Sequence, residues 1–213
     1  MTIFILENAH SNHQKMKTNG QIRSAASASL KNNWGTGVLV ALVVTLATCI
    51  STTIPAVNIA LWVFLFCPLY VGISKMFLEL ARDGQPLGFE GIFGVFNSEL
   101  YMKCVCVELL STVYTLLWTL LFIIPGIVKM CSYAMSHYIM LENPTLSADE
   151  CIERSMQMMN GHKWDFFLIL LGYFILMVLA SIFTFGIGCL WISTYYEAIF
   201  AHFYLALKEE VKN

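Results

Sequence analysis

LLFIIPGIVKMCSYAMSHYIMLENP, residues 120–144, places a proline, a glycine and a lysine inside a much longer apolar run. From Cys104 to Leu141 that run has 38 residues. As one helix, at about 1.5 Å per residue, it would reach about 57 Å, nearly twice the roughly 30 Å of a bilayer core. A single kinked helix is excluded by length. Pro125 cannot donate to a helical ladder and Gly126 supplies a permissive backbone, so the dipeptide reads as the turn between two spans, 102–124 and a shorter 127–141. Lys129 then lies one turn from the membrane surface, where its stem can snorkel outward.

The composition agrees with a membrane as solvent. Of the 213 residues 58% are hydrophobic and 12% charged, with a mean hydropathy of +0.68, whereas soluble domains carry about 25% charged residues. The length is that of one domain, with no room for a soluble catalytic unit beside the spans. Before Trp34 no apolar run is long enough for a signal-peptide core, so the first span is expected to stay attached. The seven cysteines form no CxxC pair or zinc-spaced cluster, and no metal or cofactor is expected. A net charge of −2 gives no reason to expect a nucleic-acid partner.

Four further apolar segments complete the pattern: 37–54, stopped by Pro55; 56–80, with Pro68 as a kink; 165–182; and 188–207, separated from its predecessor by FGIG at 185–188. The expected fold is therefore an all-α polytopic transmembrane bundle: one membrane domain, residues 21–208, of about six spans in three hairpins. A flexible N-terminus, 1–20, and a short tail, 209–213, flank it. With the N-terminus inside, Lys15, Lys17, Arg23, Lys31, Lys75, Arg82, Lys103, Arg154, Lys163, Lys208 and Lys212 all fall on the cytoplasmic side, and only Lys129 lies beyond. This bias predicts both termini cytoplasmic in a bacterial plasma membrane.

Each hairpin is preceded by a segment with apolar residues at helical spacing. SADECIERSMQMMNG opens with a capping box, Ser147 and Glu150, carries a stripe of Ile152, Met156 and Met159, and ends at Gly161. Ile22, Ala26, Leu30 and Trp34 form a stripe before the first span, and Phe89, Ile92, Phe93, Phe96 and Leu100 a weaker one before the third. These predict cytoplasmic interfacial helices, in three similar helix-plus-hairpin units.

Polar residues inside the spans supply the candidate site. Glu108, Ser111, Thr112, Thr115 and Thr119 share one helical face, Lys129, Ser132, Tyr133 and Ser136 another, and Ser193, Thr194 and Glu197 a third. Exposure of these faces to lipid is costly, so they should turn inward. They either line a polar path or headgroup cleft around Glu108, Lys129, Glu197, Ser193 and Thr194, or hold helices together through hydroxyl hydrogen bonds. Glu197 is the hardest to explain as structure, because a mid-membrane carboxylate is expensive unless neutral, paired or hydrated. His137 and His202 read as hydrogen-bonding members of the bundle. No GxSxG, HExxH, Walker or GxGxxG pattern occurs, so catalysis is not expected.

Taken together, Trp118, Pro125, Gly126, Tyr133, Tyr138, Asn143, Pro144, Ser147, Ser155, Met159, Gly161, His162, Lys163, Trp164, Phe167, Gly186, Gly188, Tyr195, Phe203 and Tyr204 resemble the motif set of the bacterial integral membrane family known as domain of unknown function 975. ASASLKNNWG, residues 26–35, resembles that family's opening. The sequence departs from the pattern at Thr194, where the family has proline, and lacks the tryptophan often found in the fifth span. The resemblance implies a multi-pass bacterial inner-membrane protein of unestablished activity, with structural roles for Pro125, Gly126, Gly161, His162, Lys163, Trp164 and Tyr195. The expectation is a non-enzymatic accessory or scaffold whose partners are the lipid bilayer and a membrane protein or a second copy. A small transporter or permease component with a polar path near Glu197 is the alternative.

Overall fold

The computed structural model describes residues 16–51, 61–96 and 100–211. The first fifteen residues, the turn at Pro55 with the start of the second expected span, and Lys212 lie outside the described residues. The described residues hold helices and no strand: α1 Asn19–Leu30, α2 Trp34–Ser51, a π-helical turn Trp62–Phe66 running into α3 Cys67–Asp83, α4 Phe89–Phe93, α5 Leu100–Leu121, α6 Ile123–Tyr133, α7 Ser136–Glu142, α8 Ala148–Met158, α9 Lys163–Thr184 and α10 Ile187–Val211. Among them three segments are long and apolar enough to cross a membrane: 63–83, 100–121 and 163–184. A fourth, α1 with residues 34–48 of α2, qualifies only as a pair bent by 95°.

The turn in the opening stretch sits earlier than Pro125. Phe122, with φ −156° and ψ 138°, is the one extended residue between α5 and α6, and Pro125 and Gly126 lie inside the first turn of α6. Proline is tolerated there because the first amides of a helix have no intrahelical acceptor. Gly126 has a different task, since a Cβ on it would collide with Thr119. Contacts then step outward in order: the Tyr114 and Tyr133 rings at 6.2 Å, Glu108 against His137, and Lys103 donating to the Pro144 carbonyl. This order makes α5 antiparallel to α6 and α7.

The α6–α7 break at Ala134–Met135 is sealed from outside. Ser155 of α8, fully buried, donates to the Ser132 carbonyl at 2.7 Å and accepts the Met135 amide at 3.1 Å. One hydroxyl thus replaces ladder bonds the break removes, which a buried backbone requires.

α9 and α10 also run antiparallel, with Tyr173 and Tyr196 rings 4.9 Å apart and Phe166 and Phe203 5.2 Å apart. Their reversal uses two left-handed residues, Phe185 at φ 52° and Gly186 at φ 87°. α10 is the hub, packing on α1, α2, α3 and α9.

The capping box of α8 forms as expected, Ser147 exchanging bonds with Glu150, and the exposed Glu150 carboxyl titrates below its ordinary value because it accepts from Ser147. A second box, Thr18 with Gln21, opens α1. The stripes of both helices do not face lipid. Ile22, Ala26 and Leu30 are buried with α1 against α10, while Cys151, Ile152 and Met159 are buried with α8 against α5, α6 and α7. The apolar stripes of α1 and α8 thus pack into the bundle, while Phe89 and Phe93 of the third expected segment stay exposed. Exposed apolar side chains run along α2, α5 and α9 and are most exposed at the reversals, with Leu120 83% and Phe185 95% exposed.

Candidate functional site

α5 supplies the floor of a cavity of about 470 Å³ with Glu108, Ser111 and Thr115, and α6 and α7 wall it with Tyr133, His137 and Tyr138. Tyr70 of α3 and Phe166 of α9 reach it from the sides. The antiparallel register sets its chemistry by bringing His137 Nδ1 to 3.6 Å from Glu108 Oε1. His137 packs edge-on to Tyr70, with ring centroids 5.5 Å apart, and 4.2 Å from the ring of Tyr138.

Several polar atoms at this cavity lack a hydrogen-bond partner: His137 Nε2, the Tyr138 hydroxyl and the Ser111 hydroxyl are all buried and unpaired. Such groups cost roughly 1–3 kcal/mol each when unsatisfied. Glu197 Oε2 of α10 is unpaired as well, and its carboxylate lies within electrostatic reach of Tyr70 and Tyr138. A second cavity, about 360 Å³ between α2 and α3, shares Tyr70 and Glu108 with the first. Glu108 therefore stands in the wall between two hollows.

The sequence candidates separate. Glu108 lines the cavity and Glu197 borders its tyrosines. Ser193 and Thr194 both donate to the Leu190 carbonyl, and Thr194 is packed on Gly37 of α2. Ser193 is thus satisfied within α10, and Thr194 packs α10 on α2. Lys129 is elsewhere too, its ammonium 5.1 Å from the Trp118 ring centroid, 5.7 Å from that of Tyr133 and 3.6 Å from Met156 Sδ. Aromatic faces and a thioether hold it in place of open solvent. No group of three His, Cys, Asp or Glu side chains suited to a metal occurs among the described residues.

The motif residues have structural placements. Gly161 takes φ 91° after α8, His162 sits at the N-cap of α9 with Nε2 3.0 Å from Glu210, and Lys163 begins α9. Trp164 is exposed and stacked on Phe167. Tyr195 stacks on Trp34 and donates to the Arg23 carbonyl.

At the far end of α7, Glu142 accepts from Tyr204 at 2.7 Å and from Lys208 at 2.5 Å, with Arg82 3.6 Å away. Burial pushes its carboxyl up, but these bonds and charges outweigh it, so it titrates below its ordinary value. This cluster joins α3, α7 and α10.

Residues 16–134 and 125–211 match the family described as Protein of unknown function (DUF975). The chain belongs to that family. No curated protein and no solved structure matches it. Membership covers α1 to α10, and the two matched segments overlap on 125–134, from Pro125 and Gly126 to the end of α6.

Proposed function

We propose that this DUF975 protein is a non-enzymatic, multi-pass protein of a bacterial plasma membrane that binds a membrane partner, lipid or protein, at the Glu108–His137 cavity. The six-span topology with cytoplasmic termini belongs to the same proposal; the antiparallel pairs α5/α6 and α9/α10 and the distribution of lysine and arginine support it. The observation that carries the binding role is the cavity's mouth. Thr112, Leu116, Thr119 and Met130 line it and are exposed, so its unpaired polar interior opens on an apolar surface. A binding role is favoured over catalysis because His137 Nε2 has no hydroxyl or thiol in hydrogen-bond reach, and an activated nucleophile needs that contact. A photo-reactive amino acid at Leu116 in intact membranes tests the reading. Lipid or membrane-protein adducts are expected, and their absence would overturn it.

A second reading, a small transporter component, rests on the two cavities meeting at Glu108 and Tyr70. It requires water to reach both. Cysteines at Thr115 and at Thr48 would then each react with a membrane-impermeant thiol reagent, and protection of either removes the path.

A further inference from the structure

We propose that the Glu108–His137 cavity binds an organic ammonium group carried by an amphiphile, with a primary amine such as an ethanolamine headgroup as the fitting chemistry. This rests on the reading that the cavity takes a membrane partner, and names which kind. The Glu108 carboxylate lines it beside His137, and two further polar atoms on lining residues, His137 Nε2 and the Tyr138 hydroxyl, have no hydrogen-bond partner. With the His137 proton on Nδ1, facing Glu108 at 3.6 Å, Nε2 becomes an acceptor. A primary ammonium brings a positive charge and donors to the Glu108 carboxylate.

Charge points the same way. Among the described residues the only ion contact of Glu108 is His137, and Glu197 Oε2 has no hydrogen-bond partner. Carboxylates at membrane depth are costly without a counter-charge, and the nearest lysine of α6, Lys129, is held by Trp118 and Tyr133. By contrast, the cationic pocket between α1, α3 and α10 is already neutralised, Lys17 by Glu209, Arg82 by Asp83 and Lys208 by Glu142.

The walls suit an organic cation rather than a bare metal ion. Tyr70, Tyr133, Tyr138, Phe166 and Phe200 surround the acceptors, and aromatic rings attract ammonium groups. The volume of about 470 Å³ is that of a small-molecule site. The exposed Leu116 and Met130 at the rim offer an apolar track for an acyl chain.

The test uses the full-length protein in a neutral maltoside detergent, titrated with dioleoyl phosphatidylethanolamine, dioleoyl phosphatidylglycerol or free ethanolamine. Binding is read as native-mass adducts and as a rise in the thermal midpoint. The ethanolamine lipid should bind and the glycerol lipid should not. Glu108→Gln should weaken binding roughly tenfold or more, the scale of one lost charged hydrogen bond. Tyr138→Phe, a milder change, carries the same expectation if E108Q fails to fold, and Glu79→Gln on the exposed side of α3 should bind as the parent does. Binding of free ethanolamine, sensitive to the same changes, would also support the amine and assign it a soluble source. Equal binding of both lipids, or undiminished binding by E108Q and Y138F, overturns the proposal. Photo-adducts at Leu116 would then still report the membrane partner, so the two readings fail separately.

Discussion

Replacing Ser155 by alanine removes one oxygen and strands two backbone groups. In the native bundle that hydroxyl donates to Ser132 and accepts from Met135, at a position with no solvent exposure, so water cannot take its place. Each buried group left unpaired costs about 1–3 kcal/mol. Polar contacts between membrane helices average nearer 0.6 kcal/mol, because the unfolded reference also finds partners. Balanced between these scales, S155A should lose about 2 kcal/mol. The loss should centre on the α6–α7 break. Equilibrium unfolding in mixed detergent micelles measures the total, and hydrogen exchange locates it: the Met135 amide should exchange roughly thirtyfold faster, the factor that 2 kcal/mol implies. Ser155→Thr, which keeps the hydroxyl, should protect Met135 better than alanine does. A loss under about 0.5 kcal/mol, or unchanged exchange at Met135, would refute the view that this hydroxyl seals the break.

Two further outcomes follow from other contacts. Gly126→Ala puts a Cβ into Thr119 and should destabilise the α5–α6 pair by about 1–3 kcal/mol, the usual range for overpacking, seen as a lower thermal midpoint. Glu142, whose folded carboxyl titrates below its unfolded value, contributes stability above about pH 4.3 that is lost as pH falls through the folded value. A pH series of thermal midpoints should therefore drop below about pH 4, and Glu142→Gln should be less stable at neutral pH and flatten that drop.

Misplacing the reversal by a few residues hid the candidate site. With Pro125–Gly126 as the turn, Glu108 falls opposite the region of Asn143; with Phe122 as the turn it meets His137. An antiparallel pair magnifies such an error, since each residue of displacement moves the partner by two. Glu108 was legible as a polar residue that must face inward. His137 could have been found as its mate, given the position of one extended residue. Ser193 and Thr194 share a face with Glu197 in the sequence, yet a hydroxyl can return its hydrogen bond to its own helix and a carboxylate cannot. Hydrophobic stripes proved ambiguous for a similar reason. Ile22, Ala26 and Leu30 carry the same pattern whether they meet lipid or α10.

The sequence by itself determined the apolar segments long enough to cross a membrane, the helical class, most helix boundaries and the family, because those depend on runs of apolar residues, on caps and on breakers that act over a few neighbours. Only the tertiary structure decided which polar residues share a cavity, that Lys129 rests on Trp118, and that Ser155 closes a broken helix from another. Those outcomes depend on register between helices distant in the chain. That register is set by side-chain packing at the reversals, a property that no local window of residues contains.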